Sequence, residues 1–359
     1  MKRLVAVFAA ILMTLSSVSL LSAEGVQEAP TEITLEDALG RTLELPGVPE
    51  RIVLTGRATI MLVDALYLFP GVSDRVVAVG QTDQGIGDFF PVVDENPEAK
   101  ARLGRTAGPE EVLSHNPDLV IMKTQMRNSL GSALETAGAT VLYLDLETPE
   151  QYNEDIRTLG TVLNQPERAE EIVAHFEERV EALLAATEGV TRPEVLLLSY
   201  STEEGGYSFS VAPEGWMQAR QVMLAGGEPV WFGAALSPGW NRVAFEQIAA
   251  WDPEVIVFLS YRSASEAAIE AIEDDPLWRE LRAVRNGWVY AMPADYYSWG
   301  QPDTRWILGA EWFAYLLHPE LFNQPFELRI LAFFQDFYGI RATEYYEKIA
   351  PRLTGDLLD

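Results

Sequence analysis

Short apolar runs alternate with helical stretches along most of this chain, and the alternation stops once, near the middle. Arg51 to Leu54, Arg75 to Val79, Leu119 to Met122 and Thr140 to Leu144 read as strands. Between them, Ala58 to Phe69, Pro109 to His115 and Leu130 to Ala137 read as helices. Strands and helices spaced this way imply a parallel sheet covered on both faces. Gln151 to Ala186 then holds two helical patterns and no strand. The second begins at Pro166, a good first-turn residue, and places Ala169, Ile172, Val173, Phe176, Val180, Leu183 and Leu184 on one face. Extended to residue 188 it is about 34 Å long, enough to reach from one lobe to another. Alternation resumes with strands at Val195 to Ser199, Val255 to Leu259 and Trp288 to Ala291. Helices are expected at Met217 to Leu224, Phe245 to Ala250, Ala264 to Ile272 and Thr304 to Leu317, with a helical tail after Phe326. Ile33 to Leu45, turning at Gly40-Arg41, reads as a small hairpin ahead of all this.

The 359 residues fit two lobes with sizeable cores. Boundaries are expected at about 30–165 and 191–359, with the connecting helix at 166–190. With 26 basic and 54 acidic side chains, the net charge of −28 argues against a nucleic-acid binder. There is no cysteine, so disulfides, thiolate metal sites and cysteine nucleophiles are excluded. Lys2-Arg3, the apolar run Leu4 to Leu21 and the small residues before Glu24 read as a cleaved signal peptide over 1–23. A retained membrane anchor is the alternative. Loss of that segment leaves 24 basic against 54 acidic side chains, or −30. The expected location is periplasmic and, without a cysteine to lipidate, not a lipoprotein.

One pattern occurs twice. Glu110 to Met122 reads EEVLSHNPDLVIM, and Glu246 to Phe258 reads EQIAAWDPEVIVF; both the Glu and the Pro recur at an offset of 136 residues. Each is a short helix, a proline stop and a buried strand. Any α/β protein contains such units, but the matched glutamate points to two lobes of related build.

The opening hairpin, PERIVLTG, GPEEVLSHNPDLVIM, the mid-chain helix, FEQIAAWDPEVIVF and LRAVRNGWVYAMP appear in an order and spacing that resembles one family. This is the substrate-binding protein of ABC importers for iron complexes and cobalamin, and the resemblance covers most of residues 33–318. It implies an α/β fold of two Rossmann-like lobes with parallel sheets, joined by a single long helix, with a ligand cleft between them. It implies capture of a ferric siderophore or related metal chelate, delivered by a monomer to an inner-membrane ABC permease with its ATPase. Haem or cobalamin is the alternative cargo. No resident cofactor is expected. In that family one glutamate per lobe contacts permease arginines, and Glu110 and Glu246 hold the matching positions; a solvated acid at a helix start is the plainer reading. One connecting helix also predicts modest closure rather than a wide hinge.

Ligands of open parallel sheets lie beyond the carboxyl ends of the strands. That nominates Thr55 to Arg57, Gln81 to Asp83 and Lys123 to Arg127 in the first lobe. In the second it nominates Tyr200 to Tyr207, Trp231 to Trp240, Tyr261-Arg262 and Tyr296 to Gln301. All nine tryptophans follow residue 215. Trp251, Trp278, Trp288 and Trp312 read as core; Trp216, Trp231, Trp240, Trp299 and Trp306 fall in or beside cleft loops. With Tyr200, Tyr207, Tyr296 and Tyr297 they make candidate aromatic walls, although any one of them is equally a core residue. Arg57 and Arg305 each stand at a helix start, where positive charge opposes the helix dipole. They answer either an internal carboxylate or an anionic ligand, joined in the second case by Lys123, Arg127 and Arg262. Cobalamin would need aromatics more than arginines. His115, His175 and His318 are scattered over three expected surface positions, so bare-metal capture is not expected. Asp83, Asp88, Asp94 and Glu95 match no calcium loop. No P-loop, G-x-S-x-G or H-E-x-x-H is present, so the chain is not expected to be an enzyme. An exported α/β hydrolase-like enzyme is the second alternative.

Overall fold

The structure is a computed structural model, and it describes residues 32–358 except 83, 204, 205, 235 and 236. The expected signal segment lies outside the described residues, as does Asp83. Among those described, no helix is long and apolar enough to cross a membrane.

Two sheets carry the fold, preceded by an antiparallel hairpin of β1 (Ile33–Glu36) and β2 (Thr42–Leu45). The first sheet is all parallel and contains β3 (Ile52–Leu54), β4 (Val76–Gly80), β5 (Ala101–Leu103), β6 (Leu119–Lys123) and β7 (Val141–Leu144). Their order is β5-β4-β3-β6-β7. Consecutive residues of these strands serve opposite faces. Ile52, Leu54, Ile121 and Leu142 enter the main core, whereas Val53, Val120, Met122, Val141 and Tyr143 pack a smaller core on the other side. This double coverage is why the strands read as unbroken apolar runs.

The second sheet contains β8 (Glu194–Glu203), β9 (Gly206–Val211), β10 (Glu228–Pro229), β11 (Asn241–Val243), β12 (Val255–Leu259) and β13 (Val289–Ala291). Its order is β11-β9-β8-β12-β13, with β10 beside β8. The parallel centre β8-β12-β13 fits expectation, and β9 and β11 extend it antiparallel. That hairpin extension was not expected, because YSFSV and NRV lie in a stretch of aromatic and turn residues with no helical partner. The repeated motif takes equivalent places in the two lobes. The helices Pro109–Leu113 and Phe245–Trp251 lead into β6 and β12, each a strand one place in from its sheet edge.

The strandless middle forms two helices, Pro149–Val162 and Pro166–Ala186. Both start on proline, and Thr148 caps the first by accepting the Gln151 N–H at 3.1 Å. The connecting helix buries Ala169, Ile172, Val173, Phe176, Arg179 and Leu183. Phe176 stacks on Trp306, centroids 5.5 Å apart, and lies 4.5 Å from Phe337 of the tail helix Phe326–Tyr338. Arg179 pairs with buried Glu311, which also holds Arg329. Truncating a buried ring such as Phe176 typically costs about 3–5 kcal/mol.

The connecting helix is not alone in tying the lobes together. One apolar core runs through both, from Leu45 to Ile349. The loop after β4 crosses to the second lobe, where Gly85 N–H donates to Tyr261 O at 2.6 Å and Ile86 N–H to Tyr296 O at 2.9 Å. Only glycine fits at 85: its φ is +94°, and a Cβ there would stand 2.7 Å from Tyr297 Cδ1. The tail helix closes the seam, with Phe334 and Tyr338 edge-on to Phe89 of that loop.

Candidate functional site

The carboxyl ends of both sheets face one cleft. After β3 the chain turns through Thr55, Gly56 and Arg57 to Ala58, which sits left-handed at φ 54° ahead of the helix Thr59–Leu66. Gly56 has φ +101° with Met126 Cγ 2.9 Å from where a Cβ would lie, and Thr59 Oγ1 donates to Gly56 O at 2.9 Å. This tight turn holds exposed Arg57 at the cleft. Gln81, Thr82 and Gln84 follow β4, Arg105 and Thr106 follow β5, and Gln125 follows β6. With Arg262 from the loop after β12 they line a cavity of about 760 Å³. Three guanidiniums and three carboxamides converge there, and none of the described lining residues is acidic.

A second chamber of about 390 Å³ opens beside it and shares Gln84 and Arg262. Its wall carries Ser199, Tyr200, Ser201 and Thr202 of β8, Ser210 of β9, Trp240, and Ser260, Tyr261 and Ser263. Trp240 lies at the centre of an aromatic trio, edge-to-face with Trp216 and with Tyr261 at 5.9 Å each. The Tyr261 hydroxyl is fixed by Gln218 Nε2 at 2.9 Å and Gly300 O at 3.2 Å, and burial pushes its pKa well up. It is therefore a neutral donor or acceptor at any ordinary pH.

The expected site residues thus divide. Arg57 and Arg262 stand at the large cavity, Tyr200 and Trp240 at the chamber, and Trp216 against Trp240. Tyr207 is exposed on β9, 6.1 Å from the Tyr200 ring. Arg127 is exposed but does not line the cavity.

Six expected contacts are interior instead. Lys123 is buried, ion-paired with Glu147 at 2.9 Å and bonded to the Asp145 carbonyl. Trp231 is buried and donates its indole N–H to Ala212 O at 2.8 Å. Tyr296 and Tyr297 lie under the crossing loop, and Trp299 is buried beside Phe326 of the tail helix, its indole N–H donating to Asp295 at 3.1 Å. Arg305 is fully buried between Asp64 and Asp295, its guanidinium 4.3 Å from the Phe89 centroid. It answers internal carboxylates. Burial pushes the Asp64 carboxyl up to about 7 against the pull of Arg305, and burial together with Asp64 raises Asp303 well above the carboxylate range. Burial would drain charge from Arg305, but Asp295 and Asp64 override it and hold the guanidinium protonated. The bridge joins the first lobe, through Asp64, to the second.

Other expectations are also revised. Trp306, at the start of the helix Trp306–Leu317, is buried against Phe176 of the connecting helix rather than beside the cleft, Trp288 is exposed rather than core, and His318 is buried against Gly226 O at 3.3 Å. Among the described residues no three His, Asp or Glu side chains converge to hold a metal ion. Arg105 and the serines were missed. Arg105 follows a three-residue strand too short to read, and serines on β8 and β9 carry no local signal. Glu110 and Glu246 are exposed in the first turns of their matched helices.

Comparison with known proteins agrees with this architecture. Residues 52–296 match the family model described as periplasmic binding protein. The Fe(3+)-citrate-binding protein YfmC of Bacillus subtilis is 22% identical over 283 residues, 76% of this chain and 81% of that protein. A cobalamin-binding protein of Halobacterium salinarum is 25% identical over 228 residues, 63% of this chain and 58% of that protein. A periplasmic solute binding protein from Veillonella parvula superposes with a TM-score of 0.68 at 20% identity, covering 89% of this chain and 97% of that one. The chain belongs to the periplasmic binding protein family, and its fold is the two-lobed fold of that neighbour.

Proposed function

We propose that this periplasmic binding protein captures an anionic iron chelate in its interlobe cleft and delivers it to the permease and ATPase of an ABC importer. The observation that carries the cargo class is the convergence of Arg57, Arg105 and Arg262 on one cavity in a chain of net charge −28. Three guanidiniums on one cavity suit a negative ligand, which charge-assisted hydrogen bonds would fix. The similarity to an Fe(3+)-citrate-binding protein supports the same cargo. Cobalamin is the second reading, favoured by the Trp216–Trp240–Tyr261 trio and by the cobalamin-binding relative.

The role is affinity and delivery, without bond-making. The crossing loop and the buried Asp64–Arg305–Asp295 bridge support modest closure around the ligand. Glu110 and Glu246, at matched places one per lobe, are the proposed contacts to the permease. The working form is a monomer, exported by cleavage of 1–23.

Titration of the purified mature protein with ferric citrate, ferric siderophores, haem and cobinamide, followed by tryptophan fluorescence, tests the cargo. Saturable quenching by a ferric chelate, weakened by Arg57→Gln, is expected; flat traces for every ferric compound would sink the iron reading. Glu110→Ala with Glu246→Ala is expected to abolish uptake while leaving ligand affinity intact. A fall in affinity instead would make these acids structural.

A further inference from the structure

Among the described residues, three glutamines are buried, and all three hang on one turn beneath the cleft. Gln218 and Gln221 share the helix Met217–Leu224, and Gln301 ends a turn closed by its own N–H on Ser298 O at 3.0 Å. Each uses only its amide nitrogen. Gln221 Nε2 donates to Trp299 O at 2.7 Å and to Trp306 O at 2.8 Å. Gln218 Nε2 donates to Gly300 O at 3.0 Å and to the Tyr261 hydroxyl at 2.9 Å. Gln301 Nε2 donates to Gln84 Oε1 at 3.0 Å. The carbonyl oxygen of each is buried with no partner among the described residues. Such an orphaned acceptor carries a desolvation cost that methionine, of similar length, would not.

Gln221 has a structural reason to be there, since it satisfies the carbonyl of fully buried Trp299. Gln218 and Gln301 rescue no such group. Gly300 O also accepts from the Tyr261 hydroxyl at 3.2 Å, and Gln84 lines the cleft, where water can serve its Oε1. What they hold are two cleft residues. Gln84, from the crossing loop of the first lobe, lines both cavities. Tyr261, from the second lobe, lines the chamber with its ring 5.9 Å from Trp240. With Oε1 committed to Gln301, the Gln84 carboxamide has its N–H groups left for the cleft.

We propose that Gln301 and Gln218 are positioning residues: from the turn at 298–301 they set Gln84 of one lobe as an N–H donor and Tyr261 of the other as a fixed wall, so the cleft is preorganised before ligand enters. This rests on the interlobe cleft being the ligand site, whichever cargo it takes.

Gln301→Met, Gln218→Met and Gln221→Met separate positioning from structural support. Urea unfolding is expected to leave the first two at parent stability or above and to place Gln221→Met below it, because only that change strands Trp299 O. Nitrogen-15 relaxation of the Gln84 side-chain amide, read without ligand, is expected to show an ordered carboxamide in the parent and a mobile one in Gln301→Met. Affinity for ferric citrate, measured by calorimetry, is expected to fall about threefold or more in both Gln301→Met and Gln218→Met. Stability losses in these two as large as in Gln221→Met, an equally ordered Gln84 amide in Gln301→Met, or unchanged affinity in both variants overturns the positioning role. Failure of ferric citrate to bind the parent overturns the iron-citrate cargo instead, and the Gln84 amide then decides the proposal.

Discussion

Replacing Arg305 by Gln tests whether the joint between the lobes is an ionic bridge. Arg305 is wholly inaccessible, with Nε 2.8 Å from both oxygens of Asp295 and Nη1 on Asp64. Its substitution strands two buried carboxyls, with Asp303 a third nearby. Breaking a buried pair from one side costs about 3–5 kcal/mol, and a desolvated cation–π contact such as that to Phe89 adds about 1–2. Against the 5–15 kcal/mol typical of a folded domain, the variant is marginal. The sign of its pH dependence follows from Asp64. An acid whose folded pKa lies above its unfolded value stabilises the fold at low pH and loses that contribution as pH rises through the folded value. Asp64 already sits at about 7 with Arg305 present. Without the arginine its pKa rises further, so the deficit is smaller at pH 5 than at pH 8. Urea unfolding followed by tryptophan fluorescence at the two pH values measures this, and Asp64→Asn in the same chain is expected to recover part of the loss at pH 8. A deficit below about 1 kcal/mol at pH 8, or one independent of pH, would refute the argument, since a buried charge imbalance must show both.

Two further outcomes are expected. Asp155 accepts the N–H groups of Asp145 and Leu146 at 2.8 Å each, yet burial pushes its carboxyl up to about 7. Its contribution is therefore complete below about pH 4 and declines toward pH 7, so Asp155→Asn should flatten the stability–pH curve by up to about 1.4 kcal/mol per pH unit there; parallel urea midpoints for variant and parent across pH 4–8 would count against it. Gly85→Ala, strained at φ +94° and driven against Tyr297, is expected to cost about 2 kcal/mol or more. Gly71→Ala, also at positive φ but with open space around it, should cost only about 1; equal losses in chemical denaturation would show that the crossing loop is not pinned.

Local pattern carried most of the architecture. Helix Met217–Leu224 and strand Val255–Leu259 begin and end where periodicity and flanking glycine or proline put them. The connecting helix starts at its proline, and the paired glutamates stand at matched helix starts. The hairpin of β8 and β9 was less legible, because an antiparallel extension depends on a partner strand and not on its own sequence. In the site, chain position relative to a strand end nominated loops that line the two cavities, but it did not separate cleft from interior. Arg57 and Arg305 present the same local sign, a cation at a helix start. One is exposed at a cavity; the other is enclosed by carboxyls from residues 64 and 295.

The alternation of strands and helices, interrupted once, was thus enough to determine two α/β lobes, a helix between them and a cleft at the strand ends. Those are consequences of hydrophobic period and chain order, which any stretch of sequence carries within itself. Which cations and rings meet a ligand was decided only in three dimensions. Trp299 and Trp240 are chemically alike, but Phe326 of the tail, Asp295 and Gln221 enclose the first, while the second is left beside a hydroxyl-lined chamber. Burial is set by segments hundreds of residues apart, and no local pattern records it.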